Sequence, residues 1–158
     1  MCEDVSQVPI LVRREIEALI AAPLIQAYAD VLGEERALAI AEGVVKDLAR
    51  GQGRDLARLA GGDSLEHLIQ GMAAFSSGGA HEIEPLEGGP NRMDWNTTRC
   101  RYAEMYQRHG LERYGYLLSC GRDFALFEGF NPAMKLARTQ TIMEGHDLCD
   151  FRLELKTE

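Results

Sequence analysis

His81-Glu-Ile-Glu-Pro-Leu86 and Met93-Asp-Trp-Asn-Thr-Thr98, separated by Gly88-Gly-Pro-Asn91, are the stretch on which the fold class turns. In the second run Met93, Trp95 and Thr97 alternate with Asp94, Asn96 and Thr98, the pattern of a half-buried strand. Pro85 has no amide hydrogen to give a ladder, so the run His81 to Leu86 belongs at a sheet edge. The Gly-Gly-Pro-Asn segment is turn chemistry, and the two runs are expected to pair as a hairpin.

Everything upstream reads as helix. Pro9 suits a first helical turn, and Val12, Ile16, Leu19 and Ile20 follow at helical spacing. Pro23 is expected to kink or break this helix before Leu24, Ala27, Tyr28 and Val31 resume the pattern, and Gly33 stops it. A second helix from Glu34 carries Leu38, Ala41, Val45 and Leu48 on one face; Gly51 and Gly53 weaken it, yet Leu56 and Leu59 keep its phase. Gly61-Gly62 ends it, and Asp63 or Ser64 caps a third helix running through Phe75 into a loop of Ser76 to Gly79.

Downstream of the hairpin, Cys100 to His109 and Leu111 to Phe127 read as helices, Asn131-Pro132 as a turn, and Ala133 to Ile142 and Leu148 to Leu155 as the last two strands. The expected architecture is α+β: one domain over 1–158, with a helical part at 1–79 and a part at 80–158 that carries the site. The second part holds a small antiparallel sheet of about four strands, with two helices between its hairpins.

Charge and composition exclude several classes. The chain has 158 residues, 46% hydrophobic and 27% charged, with a net charge of −8. An acidic surface repels phosphate backbones, so no nucleic acid is expected as partner. No apolar run has the length of a membrane span, and Met1-Cys-Glu-Asp4 lacks the basic region of a secretory signal; a cytoplasmic protein with reduced cysteines is expected. The apolar N-terminal helices suit a homo-oligomer interface.

Unusual residues concentrate after Thr98. Strand alternation puts Met134, Leu136, Arg138, Gln140 and Ile142 on one face, and Cys149, Phe151, Leu153 and Leu155 on another, both inward. A buried arginine requires an anionic partner, which is either an internal carboxylate or a ligand. Cys120 and Asp123 lie three apart and share a helix face with Tyr116 and Phe127. Cys100, between Arg99 and Arg101 at a helix N-terminus, is either a thiolate favoured by the dipole and the cations or a small buried hydrophobe. Cys100, Cys120 and Cys149 match no standard zinc spacing, but if they converge they make a zinc or iron–sulfur site. Cys2, in the N-terminal tail, is given no function. Of the histidines, His67, His81 and His109 read as structural or solvated, while His146 lies in the turn before Cys149 and is either a neighbour of that thiol or simply solvated.

The runs Thr98-Arg-Cys-Arg-Tyr-Ala-Glu-Met-Tyr106, Leu118-Ser-Cys-Gly-Arg-Asp-Phe-Ala125, Glu128-Gly-Phe-Asn-Pro132, Arg138-Thr-Gln-Thr-Ile-Met-Glu-Gly145 and Cys149-Asp-Phe-Arg152 together resemble the L-2-amino-thiazoline-4-carboxylic acid hydrolase family. The resemblance covers the C-terminal half; the helical half is compatible with it. It implies a hydrolase acting on the carbon–nitrogen bond of a cyclic amidine, whose founding reaction opens an aminothiazoline ring to N-carbamoyl-cysteine. His146 departs from the small or acidic residue expected at its place.

Joined to the residue reading, this assigns catalysis to Cys149, Asp123 and Cys120, and substrate binding to Arg138, Asn131 and Phe127. Cys149 attacks the amidine carbon as a thiolate, or Asp123 activates a water or holds a protonated ring nitrogen; inward placement favours Cys149. Arg138 grips the substrate carboxylate in a bidentate pair, and Cys120 lines the pocket or tunes Asp123. No cofactor is needed. The alternative is a small-molecule-binding or sensory domain whose Cys100, Cys120 and Cys149 hold zinc or an iron–sulfur cluster.

Overall fold

The structure is a computed structural model in which residues 8–73 and 79–156 are described. Cys2, Phe75 and the Ser76 to Gly78 part of the expected loop fall outside those residues.

Two long helices form the N-terminal half. Helix α1 (Ile10–Leu32) runs unbroken through Pro23, and Gly33, at φ 86°, turns the chain into α2 (Glu34–Ala60). Pro23 is on the exposed side, where the carbonyl left without a helical partner can be hydrated. The apolar spacing misled about which side of α1 packs. The buried face is Arg14, Ala18, Ala22 and Ile25, whereas Ile16, Leu19, Ile20 and Leu24 are all about half exposed or more. Small residues on the buried face let the helices lie close, and the larger aliphatics are left outside.

The glycines of α2 are there for contact. A Cβ on Gly53 would lie 2.1 Å from the Leu126 carbonyl oxygen, and one on Gly129 would lie 2.3 Å from that of Arg50. Helix α2 therefore crosses the Leu126–Gly129 segment backbone to backbone, which fixes that segment's position. A third helix, α3 (Leu65–Met72), is capped by Ser64, whose Oγ accepts from the His67 amide at 3.4 Å.

The sheet contains β1 (His81–Pro85), β2 (Arg92–Cys100), β3 (Met134–Ala137) and β4 (Cys149–Leu155) in the order β1-β2-β4-β3, every neighbouring pair antiparallel. The expected hairpin is β1–β2, with Pro85 in the edge strand. Register places Met93 opposite Leu153, Trp95 opposite Phe151 and Thr97 opposite Cys149. Trp95 and Phe151 stack with ring centroids 4.6 Å apart. This face packs on α2 and on Phe127 and Phe130, forming the main core with Leu68, Met134 and Leu153.

Between β2 and β3 lie α4 (Arg101–Arg108), α5 (Glu112–Leu118), a single 3-10 turn (Cys120–Arg122) and α6 (Asp123–Phe130). The helix expected over Leu111 to Phe127 is thus two helices. Ser119 leaves the helical region at φ −120°, ψ −72°, so the single helical phase expected to run from Tyr116 through Cys120 and Asp123 is interrupted. The strand expected over Ala133 to Ile142 ends at Ala137. Past it, Asp150 on β4 captures the chain: its carboxylate accepts from the Thr139 and Gln140 amides, each at 2.9 Å, and from Thr139 Oγ1 at 2.7 Å. These bonds replace a ladder and bend Arg138 out of strand geometry. The α+β class stands: α1 to α3 come first and the four-stranded antiparallel sheet after, with α4 to α6 inserted between β2 and β3.

Candidate functional site

A cavity of about 370 Å³ lies between the sheet, the 3-10 turn, the start of α6 and the Arg14 level of α1. Its walls are largely apolar and aromatic, with Trp95, Tyr102, Phe127 and Phe151 among them. Of the expected site residues, Cys100, Cys120, Asp123, Phe127, Arg138 and Cys149 all reach it.

Asp123 and Arg138 form its central pair. Arg138 Nη1 donates to Asp123 Oδ2 at 2.6 Å, and Nη2 donates to the Cys120 carbonyl at 2.9 Å. The guanidinium lies 5.0 Å from the Phe151 ring centroid, 5.2 Å from that of Phe124 and 5.9 Å from that of Tyr116. Its side chain is 2% exposed, against 31% for Asp123, so the carboxylate is the partner that opens onto the cavity. Burial pushes the Asp123 carboxyl above its ordinary value although Arg138 opposes the rise. Arg138 is raised too: burial works against its charge, and Asp123, Cys120 and Tyr116 together outweigh it. The requirement of a buried arginine for an anion is met inside the protein.

The three cysteines converge on the cavity without becoming thiolates. Burial raises all three, Cys100 to about 11. Of the two cations expected to help Cys100, Arg99 is engaged elsewhere: it binds Glu104 at 2.7 Å and Glu82 at 3.2 Å. Cys149 Sγ accepts a hydrogen bond from the Ile142 amide at 3.3 Å, which lowers its pKa but by less than burial raises it. All three are free thiols. Among the described residues no three His, Cys, Asp or Glu side chains group so as to hold a metal ion.

Two expected residues sit elsewhere. Asn131 ends α6 and is occupied by backbone: its Nδ2 donates to the Asp63 carbonyl at 3.1 Å and its Oδ1 accepts from the Ala133 amide at 2.8 Å. His146 is exposed in the turn before β4, and neither residue lines the cavity.

Others were missed. His81 reaches the cavity beside Tyr102, with ring centroids 5.1 Å apart, and burial lowers its pKa to about 4. Arg14 and Arg122 also line the cavity, 8% and 7% exposed. Both donate to Gln52 Oε1. Arg122 stands inside the Cys120-Gly-Arg-Asp123 run, where its neighbours drew the attention. Arg14 lies at i−4 from Ala18 and i−8 from Ala22, a small-residue face that marks the packed side of α1.

The family model for L-2-amino-thiazoline-4-carboxylic acid hydrolase matches residues 13–153. The chain belongs to this family. The match takes in both halves, including Arg14 and the whole cavity. No curated protein matches the chain.

Two solved structures share the hydrolase-family chain's fold. One is the phenol-responsive sensory domain of the transcription activator PoxR with phenol, at TM-score 0.57 and 15% identity, covering 92% of this chain and 76% of that one. The other is trafficking protein particle complex subunit 3 from Naegleria fowleri, covalently bound to palmitic acid, at TM-score 0.54 and 12% identity, covering 92% and 96%. At these identities the likeness concerns the fold alone.

Proposed function

We propose that the protein hydrolyses a small cyclic amidine carboxylic acid inside the cavity, with Asp123 as the general base. The observation that carries this is the Asp123–Arg138 pair: a carboxylate facing an enclosed space, backed by a fixed cation 2.6 Å away, with its pKa raised by burial. A carboxylate raised toward neutrality is a better base for water than a solvated one. Cys149 is the weaker candidate, because burial favours its protonated thiol and, among the described residues, no basic side chain hydrogen-bonds it.

The bond broken in such a reaction is carbon–sulfur. Conversion of the aminothiazoline ring to N-carbamoyl-cysteine keeps both nitrogens on the amidine carbon and frees the sulfur. Carbon–sulfur cleavage therefore replaces the carbon–nitrogen cleavage first expected. Water adds to that carbon while Asp123 takes one of its protons and delivers it to the ring nitrogen, whose double bond to the carbon becomes single; as the carbon–sulfur bond breaks, Asp123 takes the proton of the added hydroxyl, the carbonyl forms, and that proton passes to the departing thiolate. The products contain one added water and nothing else, so the reading calls on no cofactor. Arg138 holds the Asp123 carboxylate in place throughout and Phe127 supplies a wall for the ring.

A second reading has a specific basis. The PoxR sensory domain, which shares the fold, is described with phenol, and the aromatic walls of this chain's cavity suit a small ring of that kind. In that reading the protein binds a small molecule without changing it. Free thiols at Cys100, Cys120 and Cys149 suit a reducing compartment such as the cytoplasm, and no described helix is long and apolar enough to cross a membrane.

The test mixes purified protein with L-2-amino-thiazoline-4-carboxylate and follows N-carbamoyl-cysteine by mass spectrometry and the new thiol by a chromogenic reagent. Both products are expected at equal rates. Tight binding of the acid with no ring opening would sink the hydrolase reading and leave the binding module.

A further inference from the structure

We propose that Arg122 and Arg14, steadied by Gln52, form a carboxylate-binding subsite of the cavity. This rests on the reading of the cavity as the ligand site. It moves the role first expected of Arg138 to a different pair of cations.

The charges around the cavity show why a ligand anion is wanted there. Asp123 is held by Arg138 at 2.6 Å, and Asp94 by Arg92 at 2.8 Å. Arg14 pairs with Glu17, whose side chain is 57% exposed, so that carboxylate is shared with solvent. Arg122 pairs with no carboxylate among the described residues. Among the described residues its one hydrogen-bond acceptor is Gln52 Oε1, and the same oxygen accepts from Arg14 Nη2 at 3.3 Å. One neutral amide oxygen therefore stands between two buried guanidinium groups. Arg122 Nε is buried with no hydrogen-bond partner among the described residues.

A guanidinium in that position carries a desolvation penalty that a neutral oxygen does not offset. Burial first, then the neighbouring Arg14, lower the Arg122 pKa to about 10, which still leaves it charged at neutral pH. His81 is neutral there and adds no competing cation. A carboxylate fits the need better than a neutral group, because its two oxygens match the planar fork of an arginine and cancel one of the two charges. The chemical class is thus a small cyclic monocarboxylate, with its carboxylate toward the 3-10 turn and its ring against the aromatic wall. Asp123 follows Arg122 directly in the chain, so binding an acid here brings the ligand beside the proposed base.

The test uses an unreactive matched pair, thiazole-4-carboxylate and thiazole-4-carboxamide, titrated calorimetrically into the full chain. The acid is expected to bind at least about tenfold more tightly than the amide. In Arg122→Gln the acid should fall to the amide's affinity while the amide stays within about twofold, and Arg122→Lys should restore part of the preference. Equal affinities in the wild type overturn the proposal, and that comparison requires no variant to fold. So does an acid preference that survives in a folded Arg122→Gln, or binding of neither compound at millimolar concentration. Acid-selective binding without ring opening of the aminothiazoline acid keeps the subsite and ends the hydrolase reading. Ring opening that proceeds equally on that acid and its carboxamide does the reverse.

Discussion

Arg138 Nη1 stands 2.6 Å from Asp123 Oδ2, and the two side chains reach that contact from different kinds of backbone. Asp123 opens α6, whose position is set by the Gly53–Leu126 approach. Arg138 comes from the chain just past β3, bent there by the Asp150 carboxylate. Asp150 is itself lowered: its hydrogen bonds from Thr139 and Gln140 overcome the opposing effect of burial. A helix crossing and a carboxylate-bound loop thus jointly aim the Asp123 carboxylate at the cavity.

Removing the cation tests what it does for the base. Arg138→Gln leaves Asp123 buried without a counter-ion, and stability is expected to fall by about 3–5 kcal/mol in urea unfolding. The kinetic sign follows from the base being active only when ionised. Activity is lost as pH falls through the Asp123 pKa, and that pKa lies above the ordinary 3.8. The acid limb of kcat/KM should lie above 3.8 in the wild type and move further up in Arg138→Gln. An unmoved limb would separate the limb from Asp123.

His81 gives a second pH signature, in stability. Its folded pKa is about 4 against an ordinary 6.5. Between those values the unfolded chain binds more protons, so the contribution is complete above pH 6.5 and lost as pH falls toward 4. By pH 5 the loss is on the order of 2 kcal/mol. Melting curves of the wild type and His81→Asn at pH 7 and pH 5 should show a smaller acid-induced drop in the variant.

The two classes of glycine in α2 should respond with opposite signs. Gly43 has nothing within 4 Å of its Cβ position, and Gly43→Ala is expected to stabilise by about 0.5–1 kcal/mol. Gly53→Ala forces a methyl to 2.1 Å from the Leu126 carbonyl oxygen and should destabilise by about 2 kcal/mol or more. It should also reduce activity, because α6 carries Asp123. Equal effects of the two substitutions would contradict the close crossing.

How far the sequence carries is clear from particular residues. The β1–β2 hairpin is legible because Met93, Trp95 and Thr97 face one wall and Pro85 an edge. That Arg138 and Cys149 open onto one interior space is legible from inward alternation, though the backbone that delivers Arg138 is not a strand; the place of Asp123 beside them is not, because the helix expected to set its phase ends before it. The break at Ser119 has no proline to announce it. The packed face of α1 is hidden because backbone proximity selects alanine there, so hydrophobic spacing points to the opposite side. Arg14, Arg122 and Gln52 lie 108 residues apart at their extremes, and only the fold brings them to one acceptor.

The outward aliphatics of α1 bear on assembly. Ile16, Ile20, Leu24 and Val31 are 53%, 61%, 52% and 82% exposed, and they lie along one stripe of the helix. A contiguous apolar stripe of this length is unusual on an isolated domain. Light scattering at micromolar concentration is expected to give twice the chain mass, and Ile20→Glu the mass of one chain. A wild type that stays a single chain under those conditions would remove the oligomer expectation.

The central claim is that Asp123, and no cysteine, drives ring opening. The most direct measurement is kcat/KM for L-2-amino-thiazoline-4-carboxylate with the wild type, Asp123→Asn and Cys149→Ala, each confirmed folded by circular dichroism. Asp123→Asn is expected to lose about 100-fold or more, the scale of a positioned general base, and Cys149→Ala to stay within about threefold of wild type. Loss of activity in Cys149→Ala with retention in Asp123→Asn would contradict the account and restore the thiol as nucleophile.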